Sequence, residues 1–197
     1  MLPRFSVTPR FDSRELREWL ESLPGLCACA TPEQELPGGR NQLLKLECEG
    51  WPLVVKRFRN RGAWKKVAYR VSTSKALRSF EHSARLIAAG LRSPSPVAWR
   101  EDWEGLWLSE SYYVCEYLDF AHDASELENP LLEDRLEKAA QVGECFARMH
   151  EAAIAHLDLN FGNLLFARDA SGEWQVYIID NNRMRFGAVS LDRGVAL

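Results

Sequence analysis

The stretch His156-Leu157-Asp158-Leu159-Asn160-Phe161-Gly162-Asn163 sets a carboxylate and a carboxamide five residues apart around a glycine. Phosphoryl transfer asks for such a pair. A carboxylate orients and deprotonates the attacking hydroxyl, and an oxygen ligand for Mg²⁺ lies close by. Asp158 can serve as the first and Asn163 as the second. A polar turn held by local Asp and Asn hydrogen bonds is the plainer reading of the same residues. Asp180 strengthens the chemical one, because it closes the apolar run 176–179. A hairpin turn centred between Ser171 and Gly172 predicts that Asp180 faces Asn163, with Cα atoms roughly 5 Å apart. Alone, Asp180 reads equally well as a turn residue at a strand end.

Lys56 lies in Leu53-Val54-Val55-Lys56-Arg57-Phe58, where alternation gives it the face of Val54 and Phe58. A lysine between apolar neighbours is costly to bury unless an anion meets it. Nucleotide phosphates and a partner acid would do so, whereas an edge strand would leave it solvated. Glu81 is the candidate partner, being the single acid of residues 51–100, although a surface salt bridge to a nearby Arg explains it too. Glu116-Tyr117-Leu118-Asp119 ends a strand-like run. Backbone groups at Glu116 and Leu118 can hydrogen-bond an adenine edge there. Gly38-Gly39 lacks a G-x-G-x-x-G pattern and reads as a hairpin turn more readily than as a phosphate loop.

The elements that must position these residues follow from periodicity and punctuation. Residues 11–22 predict a short helix ended by Pro24-Gly25. Residues 26–31, 41–49 and 52–58 predict strands separated by Pro37-Gly38-Gly39 and Gly50. A helix over 74–89 carries Leu77, Phe80, Ala84 and Ile87 as an apolar stripe that extends to Leu91, with Gly90 at its C′ position. Strand-like segments follow at 97–99, 106–109 and 112–117, then a polar connection at 120–130. A second helix over 131–152 predicts Leu132, Leu136, Ala139, Gly143, Phe146 and Met149 as its buried face. A hairpin of 164–167 and 174–179 comes last. This order suggests two lobes around a cleft, with the chain crossing near residues 116–119.

Composition bounds the partners. Hydrophobic residues are 46% and charged residues 27% of 197, the balance of a globular domain. No apolar run approaches the ~18 residues that span a bilayer, and residues 1–10 have no signal-peptide core. The five cysteines are irregularly spaced, which argues against a disulfide framework and suits a reducing compartment. Alternation in a strand explains Cys27-Ala28-Cys29 better than zinc does. Residues 51–100 hold twelve Lys or Arg against Glu81, a charge of +11 that leaves −14 for the rest. Such a block favours anionic partners or is simply a solvated basic surface.

The order Lys56, Glu81, residues 116–118, His156-x-Asp158-x4-Asn163 and Asp180 resembles the protein-kinase superfamily. Within it, the runs 156–166 and 177–186 resemble the bacterial lipopolysaccharide kinase (Kdo/heptose, WaaP-type) family, and the likeness covers roughly residues 26–190. It implies an α+β, protein-kinase-like fold of two lobes. These are an N-lobe of antiparallel sheet plus helix over about 1–116 and a mainly helical, shortened C-lobe over about 119–197. It also implies ATP and Mg²⁺ as cofactors, with a sugar hydroxyl (Kdo or heptose) of the lipopolysaccharide inner core as acceptor. The location implied is the cytoplasm, at the inner face of the inner membrane. By the same resemblance Lys56 holds the α/β-phosphates, Glu81 positions Lys56, Asp158 is the catalytic base, and Asn163 and Asp180 bind Mg²⁺.

The chain also departs from the superfamily. Leu157 stands where H-R-D kinases have Arg, and Asn181-Asn182 where protein kinases have Phe-Gly. Seventeen residues follow Asp180, which implies a minimal or truncated C-lobe. Two rival readings are a small atypical kinase of a protein or small-molecule hydroxyl, and a non-catalytic pseudokinase or basic-surface binding module. Retention of all five chemical residues argues against a pseudokinase. No recognised motif supports nucleic acid as partner.

Overall fold

The computed structural model describes residues 3–37, 41–59, 73–119, 122–169 and 171–187. Gly38-Gly39 and the basic residues Lys65, Lys66 and Arg70 lie outside them. The chain divides into two compact units, Met1–Ala84 with Pro94–Tyr117 and Arg85–Ser93 with Leu118–Leu197.

The first unit is built on a five-stranded antiparallel sheet. Its strands are β1 (Arg4–Val7), β2 (Gln42–Cys48), β3 (Trp51–Arg59), β4 (Pro96–Glu104) and β5 (Trp107–Glu116), in the order β1-β4-β5-β3-β2. Expected segments 106–109 and 112–117 are one continuous strand, and 97–99 extends in both directions. Between β2 and β3 the turn at Glu49-Gly50 takes positive φ at both residues (52° and 78°), the two-residue form that matches strand twist. Because period-2 alternation splits the strands between two faces, the sheet makes two cores. Leu44, Leu53, Val55, Tyr112 and Val114 pack with helix α1 (Arg14–Ala28). Phe58, Tyr113 and Cys115, with Val54 and Phe80, pack around Ala76 of helix α2 (Lys75–Ala88).

Helix α1 corrects two expectations. It runs through Pro24-Gly25 to Ala28, so residues 26–31 form no strand and Cys27 is a helical core residue. Pro24 has no N–H for the Leu20 carbonyl, a loss that normally breaks a helix. Here the Arg100 guanidinium donates to the carbonyls of Leu20 and Glu21, the latter at 2.7 Å. Its Nε donates to Asp102 at 2.8 Å, which satisfies the buried charge. The donor that mends the helix thus comes from β4, far along the chain.

Helix α2 is capped by Ser74, whose Oγ accepts the Leu77 N–H at 3.1 Å. Its buried residues are Ala76, Ser79, Ser83 and Leu86, while Ala84 and Ile87 are exposed, so the buried stripe is rotated from the expected one. Small hydroxyls let the helix approach closely, and Ser83 Oγ meets the Tyr113 hydroxyl at 2.8 Å.

The second unit holds helix α3 (Arg135–Glu151), a three-stranded sheet β6-β8-β9 (His122–Asp123, Leu164–Arg168, Trp174–Ile178) and a pair β10-β7 (Met184–Phe186, Ile154–His156). The connection expected at 120–130 contains β6 and a 3₁₀ turn that buries Ala124 and Leu127. The buried face of α3 is Lys138, Val142, Cys145 and Met149 rather than Leu136, Ala139 and Gly143, and Leu136 is 85% exposed. Lys138 is admissible there because its Nζ lies 2.6 Å from Glu126 and 3.2 Å from Asp134, over the Trp174 ring at 4.0 Å. All five cysteines are free, and burial pushes the Cys27 thiol up to about 11 and Cys115 to about 12.

Arg100→Ala should destabilise the chain by about 3 kcal/mol in urea unfolding. In a Pro24→Ala background, where residue 24 regains an N–H for Leu20, the cost should shrink by about 1 kcal/mol. Equal costs in both backgrounds would mean that Arg100 acts only through Asp102.

Candidate functional site

In the first unit Lys56 sits on β3, an inner strand flanked by β2 and β5. The edge-strand alternative is therefore excluded by the topology. Its register partners are Leu43 and Tyr113. Next to it, Arg57 makes a bidentate pair with Glu110 of β5 at 2.9 and 2.7 Å, which fixes the β3–β5 register and so the face that Lys56 takes. Lys56 shares that face with Val54 and Phe58, as alternation predicts, and its Nζ lies 5.6 Å from the Phe58 ring centre. Glu81 is exposed on α2, and among the described residues it forms no ion pair with Lys56. Glu116 ends β5 with its carboxylate 3.6 Å from Arg10 and its N–H donating to the Ser95 carbonyl at 3.0 Å. The Tyr117 N–H donates to the Pro52 carbonyl at 3.0 Å. The longer segment of the second unit begins at Leu118, and among the described residues the Leu118 N–H has no protein acceptor.

In the second unit the 156–163 segment joins β7 to β8 through a 3₁₀ turn at Phe161–Asn163. Three hydrogen bonds shape it. Asn163 Nδ2 donates to the Asp158 carbonyl at 2.8 Å, and Asn160 Nδ2 to the same oxygen at 3.3 Å. The Asp158 N–H donates to His156 Nδ1 at 3.2 Å. With Nδ1 accepting, the imidazole proton falls on Nε2, which faces the Ile179 carbonyl at 3.2 Å. His156 thus ties the loop to the strand that ends at Asp180. Burial holds its imidazole below the ordinary value of 6.5, against the opposing pull of the Ile179 carbonyl and of the Asp180 and Asp158 charges.

The hairpin register differs from the expected one. Leu164 pairs with Ile178 and Phe166 with Val176, which sets Asn163 opposite Ile179, whose N–H donates to the Asn163 carbonyl at 3.0 Å. Asp180 lies one residue further along. The turn is centred on Ser171 because Asp169 organises it: its Oδ1 accepts from the N–H groups of Ser171 and Glu173 at 2.9 and 3.1 Å. Asp180 has a φ of 55°, a left-handed conformation that Asp tolerates better than most residues. That conformation breaks the strand alternation, and Asn182 Nδ2 donates to Asp180 Oδ1.

Two features escaped the sequence reading. Arg183 Nη1 lies 3.4 Å from Asp158 Oδ2, and its carbonyl accepts the Leu157 N–H at 2.8 Å. The signal was present in Met184 and Phe186, an alternating apolar pair that makes β10 against β7. Asn181 is buried and donates to Ser93 Oγ at 2.9 Å. Among the described residues no group of three or more His, Cys, Asp or Glu can hold a metal ion, so a cation here would have to draw on Asn163 as well.

The α+β fold of the described residues, with its antiparallel sheet and three α-helices, is kinase-like. Its likeness to a solved structure, WaaP in complex with acyl carrier protein, has a TM-score of 0.58 at 18% identity, over 93% of this chain and 73% of that one. The chain belongs to the lipopolysaccharide kinase (Kdo/WaaP) family, whose model matches residues 38–188. It is 29% identical over 154 residues to a 3-deoxy-D-manno-octulosonic acid kinase of Haemophilus influenzae (strain 86-028NP), covering 72% of this chain and 62% of that protein. To the kinase of the same name from Vibrio parahaemolyticus it is 31% identical over 114 residues, 57% of this chain and 44% of that one. The chain therefore spans about three-fifths of the length of the first of these curated relatives.

The His156 geometry has a readable pH signature. Its folded pKa is depressed, so its contribution to stability is complete above the unfolded value near 6.5 and is lost as pH falls through the folded value. The His156 ring nitrogens followed by NMR should titrate below 6.5. The fall in urea stability on acidification below 6.5 should be smaller in His156→Asn. A His156 midpoint above 6.5 would contradict the buried neutral ring.

Proposed function

We propose that this chain transfers the γ-phosphate of ATP to a hydroxyl of 3-deoxy-D-manno-octulosonic acid in the lipopolysaccharide inner core. The observation that carries this reading is the 156–163 loop. Asn163 spends its amide nitrogen on the Asp158 carbonyl, which fixes the carboxamide orientation and leaves Oδ1 as its outward acceptor. An amide oxygen at Asn163 and a carboxylate at Asp180 form an oxygen-only donor set, the kind that suits Mg²⁺. Bound there, Mg²⁺ would neutralise charge on the transferring phosphates. Family membership and the relatives' names support the same reaction and acceptor class.

Asp158 is the base in this reading. Its side chain is 53% exposed, open to an incoming hydroxyl. It takes the hydroxyl proton as the new O–P bond forms and the bond to the ADP oxygen breaks. Lys56 meets the α/β-phosphates. Glu81 pairs with Lys56 once nucleotide is bound, and the Glu116 carbonyl and Leu118 N–H meet the adenine edge. His156 stays neutral and holds the loop.

Lipopolysaccharide is made at a membrane, and no helix of the described residues is long and apolar enough to cross one. The +11 charge of residues 51–100 supports docking on anionic headgroups at the inner face of the inner membrane.

Acceptor-stimulated ATP turnover should require Mg²⁺ and disappear in Asp180→Ala. Asp158→Asn should lower it by roughly 10²–10⁴-fold with ATP binding retained. Near-normal turnover in Asp158→Asn would remove Asp158 from the role of base. Replacing Lys65, Lys66 and Arg70 with Ala should cut sedimentation with anionic vesicles several-fold and make what remains less sensitive to salt. Unchanged partitioning would discard the membrane-docking part alone.

A further inference from the structure

Arg183 reaches the candidate base and has no task in the reaction as proposed above. Its backbone is fixed: its carbonyl accepts the Leu157 N–H at 2.8 Å, and the next residue, Met184, pairs with His156. Alternation then sends Met184 into the core and leaves Arg183 and Arg185 exposed. The guanidinium is therefore held beside the loop by the same strand pairing that holds Asp158.

The Arg183–Asp158 contact is loose. One nitrogen approaches one oxygen at 3.4 Å, with the two side chains 61% and 53% exposed. A committed Arg–carboxylate pair is a shorter fork, as Arg57 and Glu110 show at 2.9 and 2.7 Å in the first unit. A tight fork on Asp158 would also occupy the oxygens a base needs. Among the described residues the geometry is that of a cation with most of its five donors uncommitted, next to the atom that must receive a hydroxyl proton.

We infer that Arg183 is a substrate-positioning residue that binds the carboxylate of the acceptor sugar acid and so presents a hydroxyl of that sugar to Asp158. The inference rests on the acceptor class proposed above. Carboxylate and guanidinium match as a planar two-bond pair. When the acceptor binds, its carboxylate takes the guanidinium and the Asp158 oxygens are released for the hydroxyl. One residue thereby links acceptor recognition to the freedom of the base. A neutral sugar, lacking the carboxylate, would leave Arg183 on Asp158 and be a poorer acceptor.

The test uses the full chain and two acceptors, a glycolipid ending in 3-deoxy-D-manno-octulosonic acid and the same glycolipid with that carboxylate as its methyl ester. Arg183→Ala should raise the acceptor KM about tenfold for the acid and hardly at all for the ester, with the ATP KM unchanged. Arg183→Lys should recover part of the loss, and Arg185→Ala should leave the acid-to-ester ratio as it is. Calorimetric binding of both glycolipids without ATP runs in parallel. A chain that turns over no ATP yet prefers the acid through Arg183 would sink the kinase reading and keep this one. Equal losses for acid and ester, a shift confined to the ATP KM, or equal binding of the two glycolipids by the unaltered chain would overturn the role of Arg183.

Discussion

One buried imidazole ring joins the two strands that carry the candidate chemistry of the second unit. His156 accepts the Asp158 N–H on one nitrogen and faces the Ile179 carbonyl with the other. The loop with the candidate base and the strand end with the candidate metal ligand are thus linked through a group that must stay neutral to do both jobs. A second rung, Ile179 N–H to the Asn163 carbonyl, closes the same pair of segments. Main-chain and imidazole bonds set positions in a way that exposed side-chain pairs cannot, since they lose little entropy on forming and are shielded from salt. Asp158 and Asn163 can therefore remain exposed or half-buried at a site held firm beneath them.

The first unit reaches the same end by different means. Lys56 needs a fixed strand face, and that face depends on register. The Arg57–Glu110 fork holds the register at the neighbouring residue, and apolar cores press on both sides of the sheet. Each fully buried Leu or Phe in those cores contributes about 1.5–3 kcal/mol, so the sheet under Lys56 is stiff. Arg100 belongs to the same support, because without it the Pro24 turn of α1 would leave the buried Leu20 carbonyl without the donor that Pro24 lacks.

The parts of this protein legible in its sequence are those whose cause is local. Asp158 and Asn163 could be placed on one loop because five residues with a glycine can close a turn. Lys56 could be placed on a face because period two is rigid. The continuation of α1 was not legible, since Pro24 and Gly25 say stop and the rescue comes from Arg100, 76 positions away. The buried faces of α2 and α3 were misread for a related reason: Ser83 and Lys138 look like solvent residues until Tyr113, Glu126 and Trp174 are brought to them. The β8–β9 register slipped because the turn is centred by the Asp169 side chain, which a count from Ser171-Gly172 leaves out. In each case a distant polar group, or a side chain acting as backbone, decided the outcome.

The same distinction explains why Leu157 is a smaller departure than it looks. Protein kinases with H-R-D have a guanidinium between the His and the Asp, and this chain has an exposed leucine there. A cation still stands beside Asp158, but it arrives from the residue just before β10, Arg183. The Leu157 N–H donates to the carbonyl of that arginine, so the residue that lost the charge is hydrogen-bonded to the residue that supplies it. A guanidinium on the residue before Asp158 would be tied to the loop's own turn. One that leads into a paired strand is set by the β7–β10 register and is largely open to solvent. That placement suits an exchangeable contact with an incoming anion better than a permanent strut.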